Sequence, residues 1–397
     1  MTDQEDRRRL GVGMVGYAFM GAAHSQAWRT VHRAFEVPLA PAMVAVCGRD
    51  RAKATAAAAK LGWASVETDW KRLIARGDVQ LVDIVTPGDS HAEIAIAALE
   101  AGKHVLCEKP LANTVAEAEA MAEAARAAQA NGVRAMVGFN YRRVPAIALA
   151  RQLVEAGRLG TIRHVRAQYL QDWIVDPEFP LVWRLDAKQA GSGALGDLGA
   201  HIVDLAQFVT GSPVTGVSAT TETFVEERPL VAASSGLTGE AGAERGRVTV
   251  DDAALFTARF GNGALGSFEA TRFAAGRKNA MRIEVNGSAA SLAFDFESMN
   301  ELAFHDHTED PLTAGFRRIL VTEPAHPYLS AWWPPGHLLG YEHTFTHEIR
   351  DLLVAIAGRQ DPQPSFEDGL RVQRVLDAVT RSAGGNSVWT AVEGSAA

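Results

Sequence analysis

Three short stretches of the chain carry residue types that can do chemistry. Glu108-Lys109-Pro110 follows the apolar run 104–107, so it sits at the carboxyl end of an expected strand, where open α/β sheets place their ligands. Further on, Gly196-Asp197-Leu198-Gly199-Ala200-His201-Ile202-Val203-Asp204 opens an expected helix after Gly191-Ser192-Gly193. Asp197 and His201 are four residues apart, so one helical face carries both at its N-terminal end. A carboxylate there can orient, or hydrogen-bond beside, an imidazole whose pKa lies near neutrality. Taken alone, the pair better suits an Asp cap with a satisfied core histidine, and an E-K-P tripeptide is a surface turn more often than a site.

The third stretch is rich in glycine. Gly11-Val12-Gly13-Met14-Val15-Gly16 fits G-x-G-x-x-G, but its first two glycines lie inside an expected strand rather than in a turn before a helix. The turn itself is Gly16-Tyr17-Ala18-Phe19-Met20-Gly21. Gly16 suits a tight turn, Gly21 suits close helix–strand packing, and Ala18 places only a methyl where a backbone must approach a pyrophosphate. The following helix offers free N–H groups and a positive dipole end to phosphate. At the end of the second expected strand, where an acidic residue usually meets the adenosine ribose, the chain reads Cys47-Gly48-Arg49-Asp50. Gly48 clears space and Arg49 can pair with a 2′-phosphate, or else stack on adenine or cap the next helix, so NAD and NADP both remain open.

The elements that must position these residues change character along the chain. Residues 9–15, 42–47, 79–85, 104–107 and 134–138 read as strands, alternating with helices at 22–35, 51–61, 90–102 and 114–131. Ser90 with Glu93 and Thr114 with Glu117 have capping-box spacing. This rhythm predicts βαβ units and a parallel, doubly wound sheet over 1–138. From about residue 160 the strands follow one another: 162–170, 214–225, 248–260, 264–273, 282–286 and 291–296, with Asn262-Gly263 and Asn286-Gly287 as hairpin signals. That predicts an α+β domain over 139–397 with a large, mostly antiparallel open sheet running as a meander, and helices at 141–157, 197–210, 343–357 and 366–382. Residues 232–246, rich in Gly, Ser, Ala and Glu, are expected to form a mobile loop, and the Pro-rich 323–336, with Trp332 and Trp333, an irregular one.

Composition narrows the class. The chain has 397 residues, 47% hydrophobic and 22% charged, with a net charge of −8. That is ordinary for a globular protein of two or three domains and unlike a binder of phosphate backbones. No apolar stretch approaches the roughly 18 residues that span a bilayer, and Met1 to Arg9, including Arg7-Arg8-Arg9, reads as a solvated leader. Cys47 and Cys107 lie in apolar runs, which suits two buried thiols in a reducing cytoplasm, and no metal-ligand spacing occurs.

Taken together, these elements resemble the Gfo/Idh/MocA family of NAD(P)-dependent oxidoreductases over nearly the whole chain. The resemblance rests on Gly16 to His24, Thr86-Pro87 with His91, residues 101–110 ending in Glu108-Lys109-Pro110, residues 138–142 and Gly196 to Asp204. Within the family the chain looks most like sugar dehydrogenases of the levoglucosan dehydrogenase type, through residues 139–145, 169–173, 183–184, 190–197 and 325–328. The resemblance implies a Rossmann domain followed by a domain whose open sheet covers the nicotinamide. It also implies a catalytic group of Lys109, Asp197 and His201. Cofactor contacts would come from Gly16, Ala18, Phe19, Met20, Gly21, Gly48, Arg49, Thr86, Pro87, His91, Glu108, Lys109, Asn140 and Arg184. Ala18, Gly48 and Gly88 depart from the family's usual glycine, acidic residue and asparagine.

The implied reaction oxidises a ring hydroxyl of a sugar, anhydrosugar or polyol to a ketone. His201 would take the hydroxyl proton, Asp197 would hold a neighbouring hydroxyl and bias the imidazole, and Lys109 would stabilise charge on the reacting oxygen. Arg142, Gln171 and Asp172 are candidate polar contacts to substrate, with Lys109, Asp197 and His201. Trp173, Trp332 or Trp333 would offer a stacking face, or else pack in a core or subunit contact. A hydrolase using transient oxidation by bound NAD would need the same Lys, Asp and His, whereas a cofactor-binding regulator would not need them. By family analogy the open sheet face suits a homodimer or homotetramer.

Overall fold

The computed structural model describes residues 8–235 and 238–394; most of the leader lies outside them. Two compact units emerge by contact, one up to Asn140 together with Gly340–Leu370, the other Tyr141–Leu339 together with the residues from Arg371 onward.

The first unit alternates strands β1 (Arg9–Val15), β2 (Ala40–Cys47), β3 (Ser65–Glu67), β4 (Leu81–Ile84), β5 (His104–Cys107) and β6 (Ala135–Val137) with helices. The helices are α1 (Phe19–Ala34), α2 (Arg51–Leu61), α3 (Trp70–Ile74), α4 (His91–Glu100) and α5 (Val115–Gln129). The strands pair in parallel in the order β3-β2-β1-β4-β5-β6, which is the doubly wound Rossmann arrangement. Chain order reverses between β1 and β4, so the loops after β1, β4 and β5 share the carboxyl edge where such sheets bind ligands. Helix α1 buries His24, Ala27, Trp28 and Val31, a spacing that makes one apolar face. It packs against Phe345, Ile349, Leu352 and Leu353 in one core cluster. Those four residues belong to α9, defined below, and their periodicity explains why this late stretch returns to the first unit.

The second unit holds α6 (Pro145–Glu155), β7 (Ile162–Leu170), α7 (Ala187–Ala190), α8 (Ala200–Thr210) and β8 (Val214–Glu222). There follow β9 (Glu227–Ser235), β10 (Thr238–Arg247), β11 (Ala253–Phe260), β12 (Leu265–Thr271), β13 (Ala280–Gly287), β14 (Ala290–Asp295), β15 (Glu301–Asp306) and β16 (Arg317–Leu320). Helix α9 (Tyr341–Gly358) belongs to the first unit, the division between units falls within α10 (Phe366–Gly384), and β17 is Thr390–Ala391. Nine strands form a mixed, mostly antiparallel sheet in the order β16-β15-β14-β13-β7-β12-β11-β8-β17. It is not the expected meander: β7 enters between β12 and β13 and runs parallel to β12. On β7, Val165, Ala167 and Tyr169 are buried while Arg166 and Gln168 point the other way, as a period of two requires.

Residues 232–246 do not form a loop. Apart from 236–237, which lie outside the described residues, they belong to the antiparallel hairpin β9–β10. The Thr114–Glu117 capping box forms, but Ser90 does not cap α4; its hydroxyl donates to Thr86 Oγ1 at 2.7 Å and the Pro87 carbonyl at 2.9 Å, inside a 3-10 turn over Gly88–Ser90. Cys47 and Cys107 are buried free thiols, and burial pushes the Cys47 thiol up to about 12, with Asp69 and Glu67 adding to it. Among the described residues, no helix is long and apolar enough to cross a membrane.

Candidate active site

In the first unit, β1 ends at Val15 and the backbone turns at Gly16 with φ +104°, a conformation that glycine adopts without strain. Gly11 and Gly13 lie within β1, so the working turn is the one from Gly16 to Gly21. Helix α1 begins at Phe19, earlier than its sequence suggests. Its N-cap Ala18 offers no side-chain acceptor and its first turn carries no acidic residue, so Phe19, Met20 and Gly21 present a helix start suited to phosphate. A Cβ at Gly48 would lie 1.9 Å from the Tyr17 ring, which explains the glycine there: Tyr17 occupies the place beside Arg49 where the usual acidic side chain would stand. Burial and the Asp50 carboxylate hold the Tyr17 phenol above its ordinary pKa, against the opposing pull of Arg49. These residues fit a dinucleotide.

Beneath this edge lies a buried polar chain. His24 Nδ1 meets the Asp83 carboxylate at 3.0 and 3.1 Å, and His24 Nε2 meets Glu108 Oε1 at 2.9 Å. Trp28 Nε1 donates to Asp83 Oδ2 at 2.7 Å, and the Lys109 amide donates to Glu108 Oε2 at 3.1 Å. Burial alone would lower the His24 pKa, but the charge and hydrogen bond of Asp83, with those of Glu108, raise it well above the ordinary value. With a carboxylate at each ring nitrogen, His24 therefore ties α1 and β4 to the residue preceding Lys109.

Thr86 and Pro87 follow β4. His91, expected among cofactor contacts, has both ring nitrogens against main-chain carbonyls: Nε2 lies 2.9 Å from that of Thr86, Nδ1 3.0 Å from that of Pro110 and 3.3 Å from that of Leu111. It links the two loops from beneath. A side chain at Gly88 would meet Asn113 Oδ1 at 2.4 Å, so an amide from the next loop occupies the space left by the missing asparagine. Asn140 donates to Thr344 Oγ1 at 2.8 Å.

In the second unit, Asp197 lies in a π turn over Leu195–Gly199 that leads into α8, which carries His201. Such turns recur at functional sites. His201 is buried and stacks on Tyr141 at 4.4 Å. Tyr141 Oη and Tyr169 Oη share a hydrogen bond of 2.8 Å, and Tyr169 Oη and Gln171 Nε2 both donate to Asn279 Oδ1 at 2.7 Å. Asp197 Oδ2 accepts from Arg272 Nη2 at 3.0 Å, and the Arg272 guanidinium stands 5.2 Å from the Trp173 ring centre. Arg184 lies 4.3 Å from the Trp183 ring centre. Asp172 binds Lys278 Nζ at 2.7 Å, an exposed ion pair that holds its carboxyl below the usual range. The Arg142 fork, expected to meet substrate, grips Asp204 through two hydrogen bonds of 2.8 and 2.5 Å, with both side chains almost fully buried. Trp332 and Trp333 neighbour each other at 6.2 Å, and Trp333 is about half exposed.

Sequence reasoning passed over Tyr141, Tyr169, Asn279, Asp83 and Arg272. The first two stand in stretches that carried the resemblance, which was a usable signal. Asp83, Asn279 and Arg272 meet their partners only through pairings distant in sequence.

A parallel sheet in this strand order, with an uncapped helix start at its first βα turn, is the architecture of a dinucleotide-binding Rossmann unit. The comparisons agree: residues 10–139 match the description "Oxidoreductase family, NAD-binding Rossmann fold" and residues 147–293 the "GFO/IDH/MocA C-terminal domain". The chain belongs to the Gfo/Idh/MocA family of oxidoreductases. It is 41% identical to levoglucosan dehydrogenase of Pseudarthrobacter phenanthrenivorans over 97% of this chain and 98% of that one. An oxidoreductase domain protein from Kribbella flavida is 69% identical, with TM-score 0.93 over 97% of this chain and 99% of that one. A levoglucosan dehydrogenase in complex with NADH and levoglucosan is 40% identical, with TM-score 0.90 over 97% of this chain and all (100%) of that one.

Proposed function

We propose that this enzyme oxidises a ring hydroxyl of a sugar or anhydrosugar to a ketone, with Lys109, Asp197 and His201 as its catalytic group. The observation that carries the reading is the setting of His201: a buried imidazole on an aromatic wall whose hydroxyl and amide groups continue to Gln171, one helical turn from an ionic carboxylate. Such a surface suits a molecule with several hydroxyls and an apolar ring face. The levoglucosan complex of a relative supports the same substrate class.

Bound nicotinamide supplies the hydride acceptor. His201 takes the hydroxyl proton onto its imidazole, Asp197 holds the adjacent hydroxyl, and the Lys109 ammonium offers a hydrogen bond to the oxygen as negative charge develops. Trp173 gives the sugar ring a flat face. NAD is favoured over NADP because a relative's structure holds NADH and because the Asp50 carboxylate lies near Tyr17, although Arg49 is close enough to oppose it. A homo-oligomer through the outward face of the nine-stranded sheet completes the reading.

A panel of levoglucosan, other sugars and polyols assayed with NAD and with NADP at 340 nm tests it. Sugar-dependent NADH accumulation is expected, and Lys109→Ala is expected to abolish it while NADH binding persists. Near-normal turnover in that variant removes the catalytic assignment. Cleavage of a glycoside without net NADH would establish the hydrolase chemistry instead.

A further inference from the structure

Arg272, directly after β12, has only 1% of its side chain exposed. A guanidinium so buried is costly unless its donors meet acceptors, and here Nη1 and Nη2 do while the buried Nε is left unpaired among the described residues. Nη2 donates to Asp197 Oδ2 at 3.0 Å and to the Gly193 carbonyl at 3.1 Å, and Nη1 donates to the Arg184 carbonyl at 3.3 Å. The same cation faces the Trp173 ring. One enclosed charge thus touches the carboxylate at the helix start, the loop entering it, the turn carrying Arg184 and the indole read as the sugar platform.

The two ends of this ion pair differ. Arg272 is enclosed, whereas the Asp197 side chain keeps 26% of its surface exposed. The backbone leading to Asp197 has its own anchor: the Asp251 carboxylate accepts from the amides of Gly193 at 2.8 Å and Leu195 at 2.7 Å, and the Asp251 carbonyl accepts from Ala194 at 3.0 Å. Asp251 therefore anchors the turn through three bonds, beside the single bond from Arg272 to the Gly193 carbonyl. What Arg272 adds is the orientation of the Asp197 carboxylate and the seat of Trp173.

We propose that Arg272 is a positioning residue for the reaction: it holds the Asp197 carboxylate and the Trp173 ring in the arrangement that receives the sugar, without touching the reacting atoms. The proposal rests on the reading of Asp197 given above. Lysine at this position would keep the charge but could not reach Asp197, Gly193 and Arg184 together or present a flat cation to the indole.

A double-mutant cycle on the full-length enzyme tests it, using Arg272→Met, Asp197→Asn and their combination, with Arg272→Lys as the milder variant. Steady-state kinetics use levoglucosan or whichever panel sugar has the higher kcat/KM, and an NADH titration monitors the cofactor site. Loss of a positioning contact costs about 100-fold, so Arg272→Met is expected to lower kcat/KM for the sugar by about that factor, with Arg272→Lys intermediate. NADH affinity is expected to stay within about twofold. In the Asp197→Asn background the same change is expected to cost less than about fivefold, because residues acting through one another are not additive. An equal factor in both backgrounds, or wild-type kcat/KM in Arg272→Met, overturns the proposal. If Arg272→Met does not fold, the cycle run with Arg272→Lys is judged by the same two criteria. Wild-type turnover in Asp197→Asn alone is the distinguishable outcome that removes the reading of Asp197, and this proposal with it.

Discussion

His24 shows how a single buried charge can hold a catalytic edge in place. Its ring is fully enclosed between Asp83 and Glu108, so it balances two carboxylates that would otherwise repel. Removing one partner of such a cluster costs about 3–5 kcal/mol, and His24→Gln is expected to lose roughly that much stability in urea unfolding at pH 6. The folded-state pKa of His24 is raised, so its contribution is complete below the unfolded value of about 6.5 and falls as pH rises through the folded value. The stability gap between wild type and His24→Gln should therefore narrow with increasing pH. A gap that stays constant from pH 6 to 10 would show that His24 is held neutral. His24 and Glu108 were legible in the sequence as parts of the glycine element and of E-K-P. Asp83, the second carboxylate on His24, was not, because an aspartate inside an apolar strand gives no local sign of what it faces. Arg142 is the complementary case: its position suggested a substrate contact, and only the fold reveals Asp204 at hydrogen-bond distance.

At the scale of elements, local signals worked where a strand or helix is set by its own residues. β1, β5, β7 and α2 have the boundaries expected from apolar runs and from the Asp50 and Gly62 caps. They failed where pairing decides. β7 lies between β12 and β13 because of contacts about 100 residues away, and nothing in its nine residues specifies those neighbours. The hairpin β9–β10 is a second instance: small and polar residues read as a loop, yet a satellite core of Ile174, Val182, Leu185, Val248 and Val250 lies beside it, with Val231 packed against that core. Arg228, fully buried on β9, fastens the hairpin by donating from Nη1 to the Asp176 carbonyl at 2.7 Å and from Nη2 to the Ile174 carbonyl at 2.6 Å. Arg228→Met keeps the apolar stem but leaves those carbonyls unmet, at about 1–3 kcal/mol for each buried group. Hydrogen exchange over the hairpin is expected to speed up at least tenfold in this variant, while amides of β1 and β4 keep their protection. Unchanged protection in β9 and β10 would mean that the small core alone holds them.

For the whole molecule, the nine-stranded sheet raises the question of what meets its second face. Helices α6 and α8 pack on one side. The other carries a cavity of about 910 Å³, lined among others by Arg166, Gln168, Leu255, Thr257, Glu284 and Arg318. Its charges pair across strands, Arg166 with Glu284 at 2.8 Å and Arg318 with Glu301 at 3.0 Å, and Leu255 is 51% exposed among them. A surface on which both signs alternate can complement a second copy of itself about a two-fold axis, and an exposed leucine among those charges supplies an apolar contact. Wild-type protein is therefore expected to elute, by size exclusion with light scattering, at two or four times the 42.5 kDa chain mass. Leu255→Asp adds a desolvation cost at each symmetric contact and should shift that mass toward a single chain. NADH binding should survive the change, because the cofactor residues named above belong to the other unit except Arg184, which does not line this cavity. A wild-type mass of one chain at micromolar concentration would leave this face to solvent and end the oligomer proposal. An unchanged assembly in Leu255→Asp would move the interface to another surface.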